Sequence, residues 1–245
     1  MEPERIELTG VPVHNLRDED FEETVYALTE NRDVHQIVFL SLWDLIRARG
    51  NKEFLRCLRQ SALVVPTSPG IPRGARFLKK TVPARYMPFD FLIRFLAALE
   101  SRGRSLYLLG CKPQELRNIE QNLKQTFPGL KIVGRYTGYY PKAKDADIRI
   151  AIKKAAPHCV VIGSGVRGRE KWIFRHKNDF TSGVFIWTPS VMDIISGKRR
   201  KVSRQVFQKG WDFFPELARH PWRIFRSIAY LYYGLLLVIY RIRKL

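Results

Sequence analysis

Short apolar runs alternate along this chain with longer stretches in which apolar residues recur at helical spacing. Residues 18–32 carry Phe21, Val25 and Leu28 on one face and predict a helix. The apolar run 34–42 predicts a buried strand, 45–59 a second helix and 62–66 a second strand. Thr67-Ser68-Pro69-Gly70 then reads as a turn. Residues 90–101 predict a helix, with Asp90 as its N-cap ahead of Phe91, Leu92, Phe95, Leu96 and Leu99.

Two strand–helix–strand units follow. The first is a strand over Ser105–Leu109, a helix over 112–126 opened by Pro113, and a strand over 130–134. In the second, a helix over Asp145–Ala155 is ended by Pro157 and followed by a strand over 159–163. A helix over 172–177 and a strand over 183–188 complete the series. Strands alternating with helices predict an α/β fold, a Rossmann-like parallel sheet with helices on both faces. Ligands of such sheets bind beyond the carboxyl ends of the strands. The segments after Pro66, Leu109, Gly134, Ile162 and Trp187 are therefore the places to search. The core domain is expected over 1–197, and 198–245 reads as a basic, aromatic, helical appendage.

Charge sharpens the picture of that appendage. Over 245 residues, 43 Lys and Arg face 23 Asp and Glu, a net charge of +20. Twelve of those cations lie beyond Ser196, opposed only by Asp212 and Glu216. Such a segment is drawn to polyanions. The apolar run 227–240 is fourteen residues long, holds four tyrosines and is bracketed by Arg226 and Arg241. It is shorter than the ~20 residues of a spanning helix. Two readings stay open, a peripheral anchor in an anionic membrane and a terminal helix docked on the core. In the anchor reading, Arg199, Arg200, Lys201, Arg223, Arg226 and Arg241 meet the lipid surface. Cys57, Cys111 and Cys159 have no metal or redox spacing, and the polar N-terminus does not have the form of a signal peptide.

Six blocks, in order, carry a family resemblance. They are Val82-Pro83-Ala84-Arg85-Tyr86-Met87-Pro88-Phe89-Asp90-Phe91, Leu106-Tyr107-Leu108-Leu109-Gly110-Cys111-Lys112-Pro113, and the stretch from Phe127-Pro128-Gly129 through Gly134 to Tyr136-Thr137-Gly138-Tyr139-Tyr140. The others are Ile162-Gly163-Ser164-Gly165 running on to Arg169-Glu170-Lys171-Trp172-Ile173, Met192-Asp193-Ile194-Ile195-Ser196-Gly197, and Gly210-Trp211-Asp212 through Pro221-Trp222-Arg223. Together they resemble the WecG/TagA/CpsF family of bacterial glycosyltransferases. The resemblance implies transfer of an N-acetylhexosamine of the N-acetylmannosamine type from a UDP-sugar. The implied acceptor is a polyprenyl-diphosphate-linked sugar, met at the cytoplasmic face of the inner membrane by a peripheral protein. A homo-oligomer is implied by resemblance alone.

The chain departs from the family pattern at three polar positions. Pro69 stands where the family carries its proposed catalytic Asp, Phe39-Leu40-Ser41 replaces a Thr-x-Asn, and Arg169 replaces a Gln. Either a replacement base operates, for which Asp90 and Glu170 are the candidates, or the chain binds nucleotide or glycolipid without turnover as a membrane scaffold. The expected substrate contacts are Arg85, Gly110, Tyr136, Thr137, Gly138, Tyr139, Gly163, Gly165 and Arg169. Arginine suits a diphosphate through its bidentate fork, and glycines at strand ends admit a ligand close to the backbone.

Rival chemistries fit less well. Asp18-Glu19-Asp20 and Asp145-Ala146-Asp147 lie in or beside predicted helices, away from strand ends, and the histidines have no ligand spacing, so neither a metal nor another cofactor is expected. No G-x-G-x-x-G opens a helix as a dinucleotide fingerprint would require. Nucleic acid is not an expected partner, since no recognisable nucleic-acid module accompanies the charge.

Overall fold

The computed structural model describes residues 3–31, 33–210 and 226–243, and side chains from 230 onward in the last stretch. Its centre is a six-stranded sheet, parallel throughout. In chain order the strands are β3 (Val34–Leu40), β4 (Leu63–Pro66), β5 (Ser105–Leu109), β6 (Lys131–Tyr136), β7 (Cys159–Ile162) and β8 (Gly183–Trp187). Their spatial order is β4-β3-β8-β7-β5-β6. Strands β4, β5 and β7 are buried along their whole length, as expected of strands covered on both sides.

Helices α1 (Phe21–Glu30), α5 (Pro88–Ser101), α6 (Pro113–Thr126) and α9 (Pro189–Ile195) cover one face, closing over Phe91, Phe95, Leu99, Leu116 and Ile119. On the other lie α2 (Leu42–Gly50), α3 (Lys52–Gln60), α4 (Gly70–Phe77), α7 (Asp145–Ala155) and α8 (Glu170–His176). Burying each large apolar side chain here contributes roughly 1.5–3 kcal/mol.

The structure departs from the sequence expectations at several points. Residues 4–15 form an antiparallel hairpin, β1 (Glu4–Leu8) with β2 (Val11–Asn15). Its two-residue turn, Thr9-Gly10, has positive φ at both positions, the geometry that matches strand twist. The helix expected over 45–59 is two helices, because Asn51 ends α2 and caps α3 by accepting from the Phe54 N–H at 2.9 Å. The expected turn at 67–70 leads into α4, whose Gly70, Pro72 and Gly74 look like helix breakers. Gly74 is in fact needed where it is, since a Cβ there would collide with the Tyr233 ring. Helix α5 begins at Pro88 behind Met87, so Asp90 sits in its first turn rather than at the cap.

The described parts of the appendage fold back onto the core. A short helix, α10 (Arg204–Gln208), follows the last strand–helix unit, and α11 (Arg226–Ile242) lies against α2 and α4. Tyr233 and Leu236 are buried in that contact, Arg49 donates to the Tyr240 hydroxyl at 3.0 Å, and Arg241 donates to the Phe77 carbonyl. The outward face of α11 is also apolar, with Leu231 76% and Leu235 60% exposed beside Val238, Ile239 and Ile242. Among the described residues no helix is long and apolar enough to cross a membrane. Arg223 lies outside the described residues.

Candidate functional site

Strand β3 continues into α2 on one face of the sheet, whereas the neighbouring β8 continues into α9 on the other. Where adjacent loops diverge in this way a crevice opens beyond the carboxyl ends. A cavity of about 370 Å³ occupies it, lined by Ser41, Asp44, Arg47, Arg169, Glu170 and Trp187 among others. Ser41 caps α2: its Oγ accepts from the Asp44 N–H at 3.1 Å and donates to Asp44 Oδ2 at 2.6 Å. One turn further on, the Arg47 guanidinium lies 3.3 Å from Asp44 Oδ1 and 3.7 Å from Glu170 Oε2, bridging the two carboxylates.

Glu170 is the first residue of α8, and its side chain is only 7% exposed. Gln36 anchors it by donating to its main-chain carbonyl at 2.8 Å. Burial pushes its carboxyl above the ordinary carboxylate range. Its own backbone N–H opposes that rise, the Asp44 charge adds to it, and Arg47 and Arg169 pull the other way. The outcome is a carboxylate with raised proton affinity, as a general base near neutral pH requires. Arg169 holds a left-handed backbone (φ 56°, ψ −131°), rare for a residue with a Cβ, and its guanidinium lies 5.9 Å from the centre of the Trp187 ring. Strain of this kind collects at functional sites.

Arg85 and Asp90 lie in a different hollow. A cavity of about 650 Å³ is lined by Arg85, Met87, Asp90, Arg94, Arg204 and Phe207, on the other side of the α5 N-terminus from the crevice, which Pro88 borders. Arg85 donates to the Phe207 carbonyl and stacks 3.7 Å over the Phe207 ring. Asp90 accepts from Lys201 at 2.5 Å and Arg204 at 2.9 Å. Burial pulls its carboxyl upward, but these hydrogen bonds and charges outweigh it and hold the group below its usual value. An ionised carboxylate already engaged by two cations is a poor proton acceptor. The stretch 198–204 is pinned further by Lys198, 2.9 Å from Glu115.

The remaining candidates meet at the ends of β5, β6 and β7. There the loops are zipped together by main-chain hydrogen bonds: Cys111 N–H to Ser164 O at 2.7 Å, Gly138 N–H to Cys111 O at 2.8 Å, and Tyr139 N–H to Gly165 O at 2.9 Å. A Cβ on Gly110 would lie 2.9 Å from the backbone of Gly163 and Ser164, and one on Gly165 would lie 2.5 Å from the Tyr139 nitrogen. Loop-to-loop packing alone thus requires these glycines. Gly163 faces the Cys111 sulfur in the same way, and Gly138 faces the Ser164 carbonyl. Tyr136 and Tyr140 meet edge to face with centroids 6.1 Å apart, Thr137 joins them to Gly138, and Tyr139 stands out into solvent.

The sequence-named residues thus fall into three neighbourhoods: Arg169 with Glu170, Arg85 with Asp90, and the glycines with Tyr136, Thr137 and Tyr139. Asp44 and Arg47 were not foreseen. Ser41-x-x-Asp44 is a capping pattern visible in the sequence, but reading the helix from residue 45 hid it.

Residues 6–245 match the profile of the glycosyl transferase WecG/TagA/CpsF family. The chain belongs to this family. Among its relatives is an N-acetylglucosaminyldiphosphoundecaprenol N-acetyl-beta-D-mannosaminyltransferase of Bacillus subtilis (strain 168), 22% identical over 185 residues, 76% of this chain and 72% of the relative. A protein of the same name from Staphylococcus aureus (strain NCTC 8325 / PS 47) is 19% identical over 207 residues, 84% of this chain and 80% of the relative. In this WecG/TagA/CpsF protein Pro69 packs beneath Gly210, where a Cβ would lie 3.1 Å from the proline ring. The end of α10 therefore lies over the position where the resemblance sets an Asp.

Proposed function

We propose that this WecG/TagA/CpsF protein transfers an N-acetylhexosamine of the N-acetylmannosamine type from a UDP-sugar to a sugar carried on a polyprenyl diphosphate, with Glu170 as the replacement base. The observation that carries the reading is the buried Glu170 carboxylate, proton-seeking and beside Arg47, in the crevice between the carboxyl ends of β3 and β8. In this reading Glu170 takes the proton of the acceptor hydroxyl as it attacks the sugar's anomeric carbon, and UDP departs with its diphosphate charge met by Arg169. The relatives' names support the acceptor class.

The same reading sets the protein peripherally on the cytoplasmic face of the inner membrane, through the outward face of α11 and the surrounding cations. Five partly exposed Leu, Ile and Val side chains entering lipid would contribute on the order of 5 kcal/mol. Trp43 supports the arrangement: it is exposed, borders the crevice and belongs to α2, the helix that carries α11.

A second, non-catalytic reading is favoured by Pro69 and by the engagement of Asp90 with Lys201 and Arg204. One experiment separates the two. Purified protein is incubated with UDP-N-acetylmannosamine and vesicles holding a polyprenyl-diphosphate-linked N-acetylglucosamine. Formation of a lipid-linked disaccharide, abolished in Glu170→Gln, supports transfer. Binding of UDP and vesicles without product supports the scaffold.

A further inference from the structure

A further, partly open pocket lies at the opposite end of the sheet from the crevice. It has a volume of about 460 Å³ and opens at the amino-terminal ends of β3 and β4, where α1, α3 and the β1–β2 hairpin converge. Its wall carries Arg5, His14, Thr24, His35 and Lys177, with Leu28 and Val34 as an apolar side, and among the described residues no Asp or Glu lines it. That balance is one-sided even for a basic chain.

Two of these polar groups have no partner among the described residues. Thr24 is 4% exposed and its hydroxyl makes no hydrogen bond, and the same is true of the shielded His35 Nε2. Leaving a buried polar group unpaired costs about 1–3 kcal/mol, so both side chains, whose unpaired atoms are now shielded from the pocket, would gain by rotating toward a ligand held there. His14 adds a neutral ring: its Nδ1 accepts from the Val64 N–H at 2.9 Å, so its proton sits on Nε2. Burial, then the Arg5 charge, lowers its pKa to about 4. Arg5 itself also donates to Glu7 Oε1 at 3.0 Å and to the Arg59 carbonyl at 3.3 Å. Among the described residues Lys177 has no carboxylate partner, and Asp33, which acts on His35 from outside the wall, is the nearby opposing charge.

We propose that this pocket binds a small organic oxyanion, its phosphate or carboxylate head toward Lys177 and His35 and its apolar body against Leu28 and Val34. The dimensions suit a compact ligand, and donors without carboxylates select for negative charge. The site is remote from the crevice and does not depend on the transfer reaction. Binding there would clamp the hairpin, through Arg5 and His14, to the sheet.

Phenyl phosphate, benzoate and neutral phenol would be titrated into the full chain with histidine ring nitrogens labelled, and the His14 and His35 resonances followed. Saturable shifts at millimolar phenyl phosphate or benzoate, absent with phenol, are expected, and which acid binds tighter distinguishes the two heads. Lys177→Met should weaken binding about tenfold, and the isosteric Thr24→Val should weaken it less, while Arg47→Met, in the crevice, should leave these shifts unchanged. Equal response to phenol, no saturable shift with either acid, or loss of the shifts in Arg47→Met would overturn the assignment.

Discussion

Glu170→Gln should make this protein more stable and at the same time inactive. The side chain is 7% exposed, and its ion-pair contact with Arg47 is long, at 3.7 Å. Burial raises its proton affinity in the folded state above that of the unfolded chain. The sign then follows from linkage: between the unfolded and the raised folded pKa the native state binds more protons, so stability falls as pH rises through that interval. Above it the ionised carboxylate is a standing cost. Glutamine keeps the shape and removes the charge, and Arg47 keeps Asp44 at 3.3 Å. Relief of a strained site residue contributes about 1 kcal/mol, roughly 2–4 °C in melting temperature for a chain of this size. Calorimetric melts at pH 8 and pH 5 should show the gain at the higher pH and its shrinkage at the lower. Transfer activity should fall ~10²–10⁴-fold, the scale of a lost general base. A variant that melts lower than wild type at pH 8, or a gain that does not grow with pH, would refute the argument about burial. Full activity in a folded variant would remove Glu170 from the chemistry.

Four further outcomes are expected. Leu231→Glu with Leu235→Glu should leave the melting temperature unchanged, since both side chains face solvent, yet reduce sedimentation with anionic liposomes by about tenfold or more. Arg85→Ala should free the strap around α10, seen as faster proteolysis near Phe207, whose carbonyl and ring Arg85 engages. Gly110→Ala should destabilise by about 2 kcal/mol in a urea titration, because φ is +109° and the new methyl would press on Gly163 and Ser164. Stability should drop as pH falls from about 6.5 toward 4, by up to roughly 3 kcal/mol from His14 alone: its folded pKa is lowered to about 4, so the unfolded chain binds more protons in that window. A His14→Gln variant should flatten that part of the acid titration.

The strand–helix alternation was legible from residue 34 to residue 188 because each core strand and each covering helix shows its burial in its own periodicity. Family membership was legible for a related reason: the blocks around Arg85, Gly110, Gly138, Gly163 and Arg169 are local stretches in fixed order. The hairpin was missed because its strands are five residues each and its Thr9-Gly10 turn lacks the usual Asn or Asp. Helix α4 was missed because Gly70 and Gly74 look like breakers until Leu42 and Tyr233 are seen filling the space beside them. What sequence could not separate was the grouping of the candidate residues. Arg85 and Asp90 precede Glu170 by 80 residues or more, and only the order in which the strands line up decides that they occupy neighbouring hollows. Proton affinity was likewise invisible: Asp90 and Glu170 are both carboxylates near helix starts, and one is tamed by Lys201 and Arg204 while the other is shut away from water. Chain-local features such as periodicity, capping and charge are written in the order of residues. Burial, pairing and the meeting of distant loops depend on surfaces that exist only once the sheet has assembled.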